Sequence, residues 1–205
     1  MNSILVTAIG SYAAKLAISG LRKNGYRVIG TDIYPAEWVA EAKNVEHFRQ
    51  VPKAAAEKEF REAMLKICKE DNVCGIIPLT DVEIDFFQNN RSVFEEQGVQ
   101  LFLSPYETIA LCRDKMRLNR FVDEHCPGVK TIPTAWASDY TEDPPAFPAI
   151  CKIVDGRSSQ GLYRIQDRID WEYFRKREDA AHYLVQPMIE GSVIAVDCLR
   201  DTAGH

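Results

Sequence analysis

The chain has 205 residues, of which 46% are hydrophobic and 27% charged, and its formal net charge is −5. This composition is typical of a globular protein with a buried core, and the mildly acidic balance argues against a surface for nucleic acid or anionic lipid. No apolar run approaches the roughly 20 residues that span a bilayer, and no signal peptide is recognisable, so we expect a cytoplasmic protein without a membrane partner.

Strand and helix patterns alternate through the first hundred residues. The apolar run Ser3–Thr7 predicts a buried strand, and Arg27–Asp32 predicts the next one. The helix between them runs from about residue 12 to residue 24, with Ser11 as its expected cap and Gly25 as its left-handed end. The later predicted elements are a helix at Ala54–Glu70, a strand at Gly75–Pro78, a helix at Val82–Gln97 and a strand at Gln100–Leu103.

Two of these helix starts have the spacing of a capping box, Thr80-x-x-Glu83 and Ser104-Pro105-x-Glu107. Alternating strands and helices predict right-handed crossovers and a mostly parallel sheet. We therefore predict an α/β fold in which residues 1–112 form a Rossmann-like domain.

The pattern changes after residue 112. The predicted elements are a helix at Asp114–His125, strands at Thr131–Trp136, Ala149–Val154 and Leu162–Ile165, a helix at Asp170–Arg177 and strands at Tyr183–Met188 and Val193–Leu199. They predict a small α+β module with an antiparallel sheet over residues 113–185 and the start of a third domain over residues 186–205. The final RDTAGH looks like a hairpin turn without its return strand, so we expect a truncated chain.

The cysteines and histidines do not indicate a metal site. None of the six cysteines forms a CxxC pair, and the four histidines show neither HxH nor HExxH spacing. We interpret the cysteines as reduced packing residues and expect no metal cage built by this chain alone.

The first strand–helix junction, TAIGSYAAKL, lies where a dinucleotide fold would have G-x-G-x-x-G, but it contains only Gly10. Asp32 is well placed for a ribose. A single glycine argues against NAD binding at this junction. The junction would then have a structural role or contact the substrate. A nicotinamide-dependent reductase or epimerase would also need Tyr-x-x-x-Lys, and the Tyr12–Lys15 spacing does not fit.

The segment KIVDGRSSQGL raises a second question. Gly156 to Gly161 have the spacing of a P-loop, but Leu162-Tyr163 stands where Lys-Ser/Thr is required, so it is not a Walker A motif. Two interpretations stay open: a plain hairpin connection, or a loop whose hydroxyl and N–H groups wrap phosphates beside Lys152. Lys115 is either a second cation for the same anion or a solvated lysine. YLVQPMIEG, from residue 183 to 191, is either a core strand or an adenine-binding hinge.

The order of these segments resembles the ATP-grasp superfamily and is most similar to its carbamoyl-phosphate synthase large-subunit-like branch. The resemblance covers essentially the whole chain and is most specific over Lys152–Gly161 and Val185–Asp201. It implies two lysines on the ATP phosphates, a mobile loop that closes over them, a hinge whose backbone contacts adenine, and a glutamate near the ribose. The implied nucleotide-binding residues are Lys115, Lys152, Gly156, Arg157, Ser158, Ser159, Gln160, Gly161, Gln186, Pro187, Met188, Ile189 and Glu190.

The resemblance further implies an ATP-dependent carboxylate–amine ligase that forms an acyl phosphate, with ATP and Mg²⁺ as cofactors and small carboxylates and amines or ammonia as substrates. Family members hold Mg²⁺ late in a third domain, so we expect no ligase activity from these 205 residues alone. Relatives also usually have glutamate at the position of Val193 and often an acidic residue at that of Pro187. A non-catalytic nucleotide-sensing module is therefore an alternative.

Overall fold

The computed structural model describes residues 3–140, 146–192 and 194. The chain divides into two compact units, Met1–Thr108 and Ile109–His205. Within the described ranges, no helix combines the length and apolar character needed to cross a bilayer. Both units have their own hydrophobic cores, so each is described separately.

The first unit is built on a five-stranded parallel sheet with the order β3-β2-β1-β4-β5. This topology confirms the predicted α/β fold with a parallel sheet. The strands are β1 (Ser3–Val6), β2 (Arg27–Asp32), β3 (His47–Gln50), β4 (Val73–Ile77) and β5 (Gln100–Leu101). The helices are α1 (Ala14–Lys23), α2 (Glu57–Glu70), α3 (Asp81–Asn89) and α4 (Arg91–Glu95).

Both faces of this sheet are covered, as expected for parallel strands. On one face Leu5 and Ile29 pack in a cluster with four phenylalanines, whose rings meet edge to face with centroids 4.7–6.3 Å apart. On the other face Val6 and Val28 pack in a cluster with Ile18 of α1. The carboxyl ends of the strands, where the loops emerge, are thereby held in fixed positions.

The structure differs from the prediction at several element boundaries in this unit. The predicted helix at residues 82–97 is interrupted at Asn90, whose side-chain amide donates to the Phe86 carbonyl at 2.9 Å and separates α3 from α4. β3 was missed because its sequence, HFRQ, has little apolar character. Ser11 does not cap α1: the cap position is Ala13, without a side-chain hydrogen bond.

The second unit contains a four-stranded antiparallel sheet with the order β6-β9-β7-β8, as predicted for this half. Its strands are β6 (Ala135–Trp136), β7 (Ala149–Ile153), β8 (Tyr163–Ile165) and β9 (Tyr183–Pro187). Helix α5 (Tyr106–Arg113) contains the boundary between the units, and α6 (Lys115–His125) and α7 (Arg168–Phe174) follow. The strand predicted at residues 193–199 lies outside the described residues.

The two faces of this antiparallel sheet have different surroundings. Cys151 and Val185 face a core that contains Trp171 of α7. Because side chains alternate along a strand, Lys152 and its cross-strand partner Leu184 belong to the opposite face. The position of Lys152 is therefore determined by the pairing of β7 with β9.

Candidate functional site

Helix α6 begins at Lys115, directly after its cap. The Asp114 carboxylate accepts hydrogen bonds from the backbone N–H groups of Met116 and Arg117, both at 2.9 Å. This N-cap places Lys115 at the first position of the helix. The Lys115 ammonium donates to the carbonyl of Val154 at 3.1 Å and to that of Gly156 at 2.7 Å. Lys115 therefore contacts Gly156, the first residue of the loop Gly156–Gly161, which we call the Gly/Ser loop.

Lys152 belongs to the same cluster. It lies on β7, two residues before Val154, and is half-buried. Burial lowers the pKa of the Lys152 ammonium from its usual 10.5, and the positive charge of Lys115 lowers it further. Two ammonium groups that repel each other beside a polar loop form a site of positive potential, which an anion would stabilise.

The loop between β7 and β8 has an unusual backbone. Ser158 and Ser159 both have positive φ, 48° and 57°, although neither is glycine, and Gly161 follows at 67°. Each such serine costs roughly 1–2 kcal/mol relative to right-handed backbone. The loop is closed by short-range hydrogen bonds, for example from the Gln160 N–H to the Arg157 carbonyl at 2.8 Å. Conformations of this kind concentrate at ligand-binding loops.

The predicted hinge continues from the other end of β9. The Met188 N–H donates to the Pro148 carbonyl at 2.9 Å, so the chain stays paired on its β7 side for one residue beyond the strand. On the other side, the pairing with β6 ends at Val185, opposite Ala135. In an extended chain the polar groups of neighbouring residues point to opposite sides. The Pro187 carbonyl therefore faces the edge beyond β6, and an extended continuation of the chain would place the Ile189 N–H on the same side.

A polar network connects the hinge to α6. The Gln186 side-chain amide donates to the Thr134 hydroxyl at 2.6 Å, and the same oxygen accepts from the Asn119 amide at 3.2 Å. Asn119 is four residues after Lys115, so both are on one face of α6. One helix face thus contacts both the Gly/Ser loop and the segment next to the hinge. Neither Asn119 nor Thr134 was expected from the sequence, because their pairing depends on the tertiary fold.

The remaining predicted site residues are located as follows. The Gly/Ser loop contains Gly156, Arg157, Ser158, Ser159, Gln160 and Gly161, and the hinge contains Gln186, Pro187, Met188, Ile189 and Glu190. Gln186 is buried, whereas Ile189 and Glu190 are exposed. The structure brings Lys115, Lys152 and Gly156 together. The hinge lies toward the opposite end of β9 from Leu184, the cross-strand partner of Lys152.

A separate cavity of about 550 Å³ lies in the first unit, at the carboxyl ends of its parallel strands. Asp32, at the end of β2, is 5% exposed, and its two oxygens accept hydrogen bonds from the N–H groups of Gly10 (2.7 Å) and Tyr34 (3.0 Å). A Cβ atom at position 10 would lie 2.9 Å from an Asp32 oxygen, so this approach requires glycine. The single glycine of the TAIGS junction is thus explained by the Asp32 contact.

Glu83 lies in the wall of the same cavity. Its Oε2 accepts hydrogen bonds from the hydroxyls of Thr7 (2.8 Å) and Thr80 (2.7 Å), and the residue is 5% exposed. The capping box predicted at Thr80 is half formed: Thr80 is the cap residue and Glu83 interacts with its backbone N–H, but the Thr80 hydroxyl donates to Glu83 rather than accepting from the backbone. Burial raises the pKa of the Glu83 carboxyl above its usual 4.5, while the threonine hydrogen bonds oppose that shift.

Replacing Glu83 by glutamine tests this carboxyl. A raised folded-state pKa means that stability is fully present below pH 4.5 and is lost as the pH rises through the folded pKa. As the pH rises from 4.5 through the folded-state pKa of Glu83, the free energy of unfolding of the wild type should fall relative to that of Glu83→Gln. The amide of the variant does not ionise, so its stability lacks this pH dependence. Urea unfolding at a series of pH values measures the difference, with Glu62→Gln on the exposed side of α2 as control. A difference that does not vary with pH would contradict the assignment.

The described part of the chain offers no cluster of three or more histidine, cysteine or acidic side chains suited to a metal ion. Its cysteines carry no disulfide, and burial raises the pKa of Cys68 and Cys151 to about 12. These two thiols are inert packing residues at neutral pH, as predicted.

Comparison with known proteins identifies the fold. Residues 4–102 match the family of PylC-like N-terminal domains. Among solved structures, the biotin carboxylase domain of 2-oxoglutarate carboxylase from Hydrogenobacter thermophilus, crystallised with magnesium ADP and bicarbonate, is similar with a TM-score of 0.68 at 15% identity. This similarity covers 92% of the chain and 44% of that structure. No curated protein matches the chain significantly in sequence.

Two further solved structures are similar at 16% identity. The L-amino acid ligase from Bacillus licheniformis has a TM-score of 0.66, over 93% of this chain and 45% of its own. The N5-carboxyaminoimidazole ribonucleotide synthetase from Thermotoga maritima has a TM-score of 0.60, over 93% and 47%. The chain thus spans less than half the length of these structures. These likenesses confirm the predicted mixed α/β fold with its parallel five-stranded sheet, which matches the N-terminal domain of ATP-grasp enzymes, whereas the carbamoyl-phosphate synthase-like branch stays a prediction.

Proposed function

We propose that the chain is the ATP-binding portion of an ATP-dependent carboxylate–amine ligase. The observation that carries this proposal is the pair of ammonium groups, Lys115 and Lys152, beside the Gly/Ser loop. Their mutual repulsion is relieved when phosphate oxygens lie between them and the loop N–H groups. The fold shared with solved ligases supports the same role.

The backbone groups of the hinge explain why the site would bind adenine rather than guanine. The Pro187 carbonyl is an acceptor on the β6 side of β9, beyond the residues that β6 pairs, and in this proposal the Ile189 N–H, two residues further on, is the donor beside it. Adenine presents the complementary pair, an N6 amino donor and an N1 acceptor, whereas guanine presents an O6 acceptor and an N1–H donor. The hinge therefore favours ATP over GTP. Proline at 187 is compatible with this role because only its carbonyl is used.

In this proposal each group of the chain has one task. Lys115 and Lys152 offset the charge that develops on the transferring phosphoryl group, and the Gly/Ser loop excludes water from it. ATP, when bound, supplies the γ-phosphoryl group that a carboxylate oxygen accepts, and an amine then displaces phosphate from the acyl phosphate. The lysines, the Gly/Ser loop and the hinge would hold the nucleotide, whereas the described residues contain no cluster of three or more acidic, histidine or cysteine side chains for Mg²⁺.

Substitution of Ile189 tests the hinge without changing the phosphate site. Ile189→Pro removes the N–H, and we expect ATP to bind about tenfold more weakly, because adenine N1 then faces no donor. Ile189→Ala is the matched control, since it removes the side chain and keeps the N–H. Isothermal calorimetry with ATP, GTP and inorganic tripolyphosphate gives the comparison, and tripolyphosphate should bind both variants equally. If both variants bind ATP with the same affinity, the hinge does not read adenine.

The finer assignment, a carbamoyl-phosphate synthase-like ligase using bicarbonate or another small carboxylate with ammonia or an amine, rests on the sequence resemblance. It is tested with the full-length protein, by measuring whether ADP release depends on both the carboxylate and the amine substrate. Tight ATP binding without substrate-dependent ADP release would instead favour the nucleotide-sensing alternative.

A further inference from the structure

The cavity of the first unit has no task in the proposed ligase chemistry, although it is well formed. It lies at the carboxyl ends of parallel strands, the edge at which sheets of this order bind ligands. The described residues that line the cavity all belong to the first unit, so its interpretation does not depend on the proposed ATP site.

The floor of the cavity presents an oriented carboxylate. Each Asp32 oxygen accepts one backbone N–H, from Gly10 or Tyr34, and each retains a further acceptor position. Two adjacent acceptors of this kind suit two neighbouring hydroxyl groups. Asp32 also follows Gly10 by 22 residues at the end of β2, the position from which an acidic residue binds a ribose in nucleotide-binding folds.

The rim presents flat aromatic surface. Tyr34 is 52% exposed and Trp38 is 73% exposed, and their rings lie 6.1 Å apart with an interplanar angle of 31°. Ile33 and Val39 add apolar walls to the same cavity. A planar heterocycle would bury the apolar faces of such rings by stacking.

Charge and loop geometry limit the ligand further. Asp32 and Lys53, which both line the cavity, have opposite charges, and Glu83 is held by two threonine hydroxyls. The Gly10 N–H, which would be needed to cradle a diphosphate, already donates to Asp32. With the Gly10 N–H already used and two carboxylates in the lining, the cavity suits an uncharged nucleoside better than a dinucleotide.

We propose that this cavity binds a nucleoside moiety, with its ribose hydroxyls on Asp32 and its base against Tyr34 and Trp38. The site is distinct from the ATP site of the second unit and does not rest on the proposed ligase function. The cavity would bind a nucleoside without its phosphates, whereas Lys115 and Lys152 would bind the phosphates of ATP.

Adenosine and 2′,3′-dideoxyadenosine are the probes that test this proposal. Adenosine should quench the fluorescence of Trp38, and the dideoxy analogue should bind about tenfold more weakly or worse, because it lacks both donors to the carboxylate. The comparison uses unmodified protein, so misfolding of a variant cannot explain it.

Two variants assign the signal to this cavity. Trp38→Phe should abolish the fluorescence quenching by adenosine, while calorimetry still detects adenosine binding. Trp136→Phe, in the second unit, should retain the fluorescence quenching. The proposal is overturned if both nucleosides bind equally, if quenching persists in Trp38→Phe, or if millimolar adenosine does not bind.

Discussion

Replacement of Lys152 by methionine should weaken ATP binding about tenfold to a hundredfold and, at the same time, stabilise the protein without nucleotide. The loss of affinity follows from removing a charge-assisted contact to phosphate. The gain in stability follows from the lowered pKa of Lys152, because burial and the charge of Lys115 make its ammonium unfavourable in the folded chain. A residue retained for packing would not produce these two opposite effects.

The pH dependence identifies the cause of the stabilisation. Because the folded-state pKa of Lys152 is lowered, stability is highest above the usual value of 10.5 and decreases as the pH falls through the folded pKa. The advantage of Lys152→Met should therefore be full at neutral pH and should shrink toward pH 10.5. Urea unfolding at both pH values and calorimetry with ATP measure the two effects.

Lys176, an exposed lysine after α7, provides the matched control. Lys176→Met removes one positive charge from the same unit without touching the lysine cluster, so ATP affinity should stay within about twofold of wild type. If Lys152→Met and Lys176→Met bind ATP alike, Lys152 is not part of a phosphate site.

Substitution of Gly161 by alanine should destabilise the protein by about 1–3 kcal/mol, because position 161 combines positive φ with close packing. An added Cβ would lie 2.6 Å from Ile153 Cδ1 and 3.1 Å from the Tyr183 hydroxyl. Tyr183 is 2% exposed, so its hydroxyl cannot move away at little cost. The loop would have to shift, and ATP affinity should fall with it.

Gly20→Ala is the control for this substitution. Gly20 lies inside α1, and an added Cβ there would meet no atom within 4 Å. Alanine should stabilise the helix by about 0.5–1 kcal/mol, since it restricts the unfolded chain and favours helical backbone. Chemical unfolding of both variants measures the change in the free energy of unfolding, which should be a decrease for Gly161→Ala and an increase for Gly20→Ala. A Gly161→Ala protein as stable as wild type would show that the loop conformation is not required by its packing.

Local patterns in the sequence determined most of the fold. The apolar runs of β1, β2 and β4 and the helical spacing of α1 and α2 were recognisable because burial imposes a short period on the chain. The helix predicted over Asp114–His125 was found as α6, and the structure shows Asp114 as its cap, acting on the N–H groups two and three residues ahead. Alternation of these elements was sufficient to predict the parallel sheet.

Only the tertiary structure decided how the candidate sites are assembled. Lys115 contacts carbonyls 39 and 41 residues away, and Thr7 contacts Glu83 across 76 residues. Among the described residues, β6 pairs with two residues of β9, so the edge at the hinge has no strand partner within that part of the chain. Such partners are set by strand order and register rather than by neighbouring residues, so no local pattern announces them. For the same reason the Thr80 hydroxyl donates to Glu83 in the cavity instead of accepting from the backbone, although Thr80 is the cap of α3 as its spacing predicted.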